Sequence, residues 1–92
     1  MKTNKLYICR EIAGEALLVP VGEETKKFNG MISLTGISSF IWSQIDSSKD
    51  IDELVARVLE EYEIDEDTAR KDIMEFLKEC QDRSLVSEVP DL

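Results

Sequence analysis

The chain has 92 residues, 42% of them hydrophobic and 34% charged, which suits one small domain with a single core and is too short for two. Its 20 acidic against 11 basic side chains leave a net charge of −9, so DNA, RNA and acidic membrane surfaces are unfavourable partners. No apolar run approaches the roughly 20 residues that span a bilayer, and MKTNKLYICREIAGE lacks the long apolar segment of a signal peptide, so a cytoplasmic location is expected.

The first third of the chain has strand character. LYICREI (6–12) places Leu6, Ile8 and Ile12 on one face and Tyr7 and Cys9 on the other. Ala13-Gly14 then turns the chain, and EALLVPV (15–21) returns as the partner of a hairpin. Pro20 has no ladder donor and belongs at an edge or a strand end. GEETKKFNG (22–30) reads as a polar loop closed by Asn29-Gly30, a pair suited to positive φ, and MISL (31–34) as a short third strand.

Helical spacing follows. With Thr35 as N-cap, Ile37, Phe40, Ile41 and Ile45 fall on one stripe. Trp42 lands on the shoulder of that stripe. Either a second structural layer or a partner must cover it. Asp50-Ile51-Asp52-Glu53 has the form of a capping box, and Ile51, Leu54, Val55, Val58, Leu59 and Tyr62 continue behind it as an apolar stripe, with Ile64 plugging the connection. Asp65-Glu66-Asp67 sets three carboxylates at the positive end of the next helix dipole. That helix should run to about Arg83 with Ala69, Ile73, Phe76, Leu77 and Cys80 inward, after which Leu85 and Val86 close the domain. The order predicts a single α+β domain over 1–92, a three-stranded antiparallel sheet followed by a three-helix bundle. Its core should cover about 6–87, leaving 88–92 as a loose tail.

Catalytic chemistry is hard to find. There is no histidine, the commonest general base and metal ligand. Phosphate-binding glycine loops and a nucleophile elbow are absent. A calcium loop starting at Asp65 fails, because Ala69 and Arg70 stand where a ligand and a glycine are required. Cys9 and Cys80 match no metal or redox spacing and have no evident base, so they read as reduced, half-buried packing residues. The expectation is a protein that is not an enzyme on its own, with no catalytic, metal-binding or cofactor-binding residues and no cofactor.

GEALLVPVGEE, FNGMISL, the FIW triplet, DELVARVLEEYEID and TARKDIMEFLKECQDRSLV together resemble the PqqD-like family in order and spacing, over roughly residues 6 to 87. The resemblance implies a winged-helix-like fold whose first helix sits between sheet and helices, so that Trp42 is expected to be core, and a recognition element in the biosynthesis of ribosomally made, post-translationally modified peptides. Such an element binds the leader segment of a precursor peptide and presents it to a modifying enzyme, often a radical SAM enzyme. The leader adds as a strand against the third β-strand and packs over the third helix. Two positions depart from the family's usual pattern: the run Thr35-Gly36-Ile37-Ser38 after the third strand, and Ser84 where the family usually turns with glycine.

The residues support such a site independently. A three-stranded sheet leaves an unpaired edge, which is a template for an added strand. On the last helix Met74 lies off the inner stripe, with Arg70, Leu77 and Gln81 on the same shoulder. The candidate peptide-binding residues are therefore Met31, Ile32, Ser33, Leu34, Arg70, Ile73, Met74, Leu77 and Gln81. The implied partners are a leader peptide and a modifying enzyme, with no nucleic acid, no membrane, and a monomer or weak dimer. Two rival readings are a protein–protein adaptor without peptide modification and a winged-helix DNA-binding regulator. The regulator is disfavoured because Asp65-Glu66-Asp67 presents the wrong sign to phosphates.

Overall fold

The computed structural model describes residues 1–21, 32–34 and 36–89. The loop expected at 22–30 with Asn29-Gly30, the strand position expected of Met31, the cap expected of Thr35 and residues 90–92 of the expected tail lie outside the described residues. In chain order the elements are β1 (Lys2–Thr3), β2 (Tyr7–Ile12), β3 (Glu15–Pro20), β4 (Ile32–Leu34), α1 (Gly36–Ile45), α2 (Ile51–Glu61), α3 (Glu66–Asp82) and β5 (Val86–Ser87).

The fold is the expected α+β arrangement. An antiparallel sheet of order β2-β3-β4 precedes three helices. The hairpin closes where Ile12 pairs with Glu15 across Ala13 (φ 53°) and Gly14 (φ 82°). Positive φ at both central residues is the type I′ signature, which matches the right-handed twist of the flanking strands. Gly14 adopts it freely, whereas Ala13 bears a steric cost.

Cross-strand register decides which face of β2 turns inward. Tyr7 pairs with Pro20 and Cys9 with Leu18, so both share the face of Leu18, which is fully buried. Tyr7 is accordingly core, and Leu6 and Ile12 on the opposite face remain 43% and 47% exposed. Cys9 differs from the half-buried role expected of it: β2 is the outer strand, and Cys9 is exposed. Cys80 is buried, and both thiols are free.

On α1 the buried residues are Ile41, Trp42 and Ile45, with Trp42 8% exposed, while Ile37 and Phe40 are half-buried. Trp42 is core, as anticipated from its position between layers. Phe40 meets Tyr62 edge-on, with ring centroids 5.6 Å apart. The α2 cap forms as read: the Glu53 amide donates to Asp50 Oδ1 at 2.9 Å. The reciprocal arm reaches one residue further back, with Lys49 N–H donating to Glu53 Oε1 at 3.0 Å. At the start of α3, Asp65 accepts from the Thr68 amide (2.7 Å) and hydroxyl (2.9 Å), which holds its carboxyl below the usual 3.8.

An additional sheet was not evident in the sequence. β1 pairs with β5, Lys2 opposite Ser87 and Thr3 opposite Val86, which ties the N-terminus to the segment after α3. Asp46, just past α1, anchors it by accepting from the Thr3 amide (2.9 Å), the Thr3 hydroxyl (2.6 Å) and Lys5 Nζ. Partial burial pulls the Asp46 carboxyl upward, but these hydrogen bonds and the Lys5 charge outweigh it and hold the pKa below 3.8.

Candidate peptide-binding groove

β4 is paired on one side only. Leu18, Leu17 and Ala16 of β3 face Ile32, Ser33 and Leu34, and among the described residues no strand lies on its other side. Alternate backbone N–H and C=O groups of such a strand point outward, ready for another strand. Register places Ile32 and Leu34 on the face of Leu18, toward the helices, and Ser33 on the opposite face.

Beside this edge lies a cavity of about 110 Å³. Its sheet side is Leu18, Ile32 and Leu34; its helix side is Phe76 and Cys80 of α3, with Leu85 beyond the helix end. Ser33, Ser38, Glu79 and Arg83 supply its polar margin. Glu79 and Arg83 pair across one helical turn at 3.2 Å. Burial pushes the Cys80 thiol up to about 12, with Glu79 adding to the effect, so this sulfur behaves as an apolar wall rather than a nucleophile.

The C-terminal end of α3 is shaped to bring Leu85 back to the cavity. Ser84 adopts φ 61°, its N–H donates to Gln81 O at 3.0 Å, and Leu85 N–H donates to Cys80 O at 2.8 Å. These two bonds form a Schellman motif with serine at the left-handed position where glycine is usual. Asn4 Nδ2 donates to the Ser84 carbonyl at 3.0 Å and helps hold that turn.

The structure brings together only part of the residue set nominated from the sequence. Ile32 and Leu34 face the cavity and Ser33 lies at its margin. Ile73 and Leu77 have no exposed surface and belong to the central core. Arg70, Met74 and Gln81 sit on the other shoulder of α3. Arg70 Nη2 pairs there with Asp52 of α2 at 2.9 Å, and Met74 packs half-buried against the core. The reason is rotational. Each helical residue turns about 100°, so Met74 and Phe76 flank the Ile73 stripe on opposite sides. The Arg70–Asp52 pair shows that the Met74 side faces α2, and the Phe76 side therefore faces α1 and β4. Phe76 was legible as an inward residue; Glu79, Arg83 and Leu85 carried no sequence signal for a site, because their placement depends on the helix end and its turn.

The three-stranded sheet and three helices, with a cavity between the last sheet strand and the last helix, define a small α+β protein of winged-helix type. The chain belongs to the PqqD family: the model of coenzyme PQQ synthesis protein D matches residues 15–86. No curated protein matches the sequence. A solved structure of TbiB1 in complex with the TbiA(beta) leader peptide has the same fold, with a TM-score of 0.76 and 24% identity over 99% of this chain and 100% of that one.

Proposed function

We propose that this protein is a non-catalytic recognition element that binds the leader segment of a precursor peptide and presents it to a modifying enzyme, of the radical SAM class. The leader adds as a strand along Ile32–Leu34 and lays alternate apolar side chains into the cavity between β4 and α3. Main-chain pairing supplies affinity with little dependence on sequence, and the cavity supplies selectivity. Phe76, Glu79 and Arg83 line the helix side of this groove; Ile73 and Leu77 support it from the core, and Arg70, Met74 and Gln81 lie outside it. The observation that carries the reading is the β4 edge that no strand covers among the described residues, with that cavity beside it. Family membership and a shared fold with a protein solved with a leader peptide support it.

The test uses linear peptides selected on the wild-type protein from a displayed random library, titrated into 15N-labelled protein. Amide shifts are expected to concentrate at Ile32–Leu34 and Phe76–Leu85. Shifts confined to β2 or to α2 would contradict the reading.

A further inference from the structure

The cavity beside β4 does not end the groove. A second, shallower depression continues from it along the crevice between α1 and α3, sharing Ser38, Phe76 and Glu79 with the first. Its floor is Ile37, Ile41 and Phe76, and Asp72 and Glu75 stand on its helix side. Glu79, the carboxylate shared with the cavity, is already paired with Arg83. Asp72 and Glu75 have no ion pair among the described residues, although Arg57, Arg70 and Arg83 each hold a carboxylate. The groove thus has one end where a carboxylate and a guanidinium are paired and one end where two carboxylates without an ion pair among the described residues stand over an apolar floor, with Lys71 and Lys78 elsewhere on the same helix.

We infer that the cognate segment carries a lysine or arginine that sits over Asp72 and Glu75 while an aliphatic side chain fills the cavity. This rests on the proposed pairing of that segment with β4. Spacing follows from geometry. The two depressions are offset by about one turn of α3, roughly 6 Å along its axis. An extended chain covers that distance in about two residues, and side chains two apart project to the same face. The expected signature is aliphatic–x–basic, in whichever chain direction the segment runs. The apolar floor accommodates the methylene stem of a long basic side chain, whose charged end then meets the two carboxylates.

The experiment selects linear peptides from a displayed random library on three proteins: wild type, Asp72→Asn/Glu75→Gln, and Glu60→Gln/Glu61→Gln. The last loses the same formal charge at the exposed end of α2, at two residues that line neither depression. Enrichment of a basic residue two positions from an aliphatic one is expected on wild type and on the α2 variant, and is lost on the groove variant. Individual wild-type peptides should bind the groove variant about three- to five-fold more weakly and the α2 variant with unchanged affinity. Peptides that shift the amides of Ile32–Leu34 but show no basic preference, or keep it equally on the groove variant, would overturn this inference and leave the leader-binding reading standing. Peptides that never shift those amides would overturn both.

Discussion

The two shoulders of α3 have similar composition and opposite situations. On one, Arg70, Met74 and Gln81 combine an apolar side chain with polar neighbours, yet Arg70 is committed to Asp52 of α2 and Met74 covers a seam of the core. On the other, Phe76, Glu79 and Arg83 flank a cavity beside a strand that is paired on one side only among the described residues. Helical periodicity gives both shoulders with equal clarity and does not say which one meets the sheet. That choice is made by tertiary packing, and here by the side on which α2 docks.

The largest test of this contrast is the stripe between the shoulders. Ile73 is 0% exposed, so Ile73→Ala should cost about 2–5 kcal/mol in urea unfolding, a large fraction of the stability of so small a domain. A loss below about 0.5 kcal/mol would mean that Ile73 is exposed groove floor and that α3 is rotated from the orientation described.

Next in size is a pair of matched substitutions. Phe76→Glu places a charge at the cavity and should weaken a selected peptide by about 1–3 kcal/mol, whereas Met74→Glu should change its affinity by less than about 0.5 kcal/mol. Calorimetric titration of both variants, each first shown folded by circular dichroism, reads the difference. The reverse ranking would move the site to the α2 side.

Ser84→Gly is smaller and of opposite sign. Relieving a left-handed serine should stabilise the protein by about 0.5–1 kcal/mol while keeping both bonds of the motif. A loss of stability would show that the serine side chain contributes something the backbone geometry does not.

The smallest effect is electrostatic. Asp46 has a folded-state pKa below 3.8, so the stability it contributes is fully present above 3.8 and is lost as pH falls through the lowered value. Asp46→Asn should therefore flatten the acid limb of stability against pH, measured by denaturant midpoints at successive pH values. Because Asp46 is 43% exposed, solvent screening keeps the effect small.

Much of the fold was legible in the sequence because local rules settle it. The Ala13-Gly14 turn, the Asp50–Glu53 cap and the α2 stripe each need only neighbours in the chain, and they form as read. What escaped depends on distant partners. The β1–β5 sheet is two residues long on each side and is held by Asp46, which no periodicity reveals. The inward face of β2 carries Tyr7 rather than the more apolar set of Leu6, Ile8 and Ile12, because pairing with Leu18 fixes it. At the candidate site the strand half, Ile32 to Leu34, was readable as an exposed edge. The helix half required knowing how α3 is rotated and how Ser84 returns the chain.

The central claim is that an extended segment lies along β4 on the Phe76 side of α3. Its most direct test attaches a nitroxide spin label to a selected peptide and reads paramagnetic broadening of the protein's amides. Broadening is predicted to be strongest at Ile32–Leu34, Glu79 and Arg83 and to weaken toward Arg70 and the α2 side of the helix. Broadening centred on Arg70 and Met74, or on β2, would contradict it.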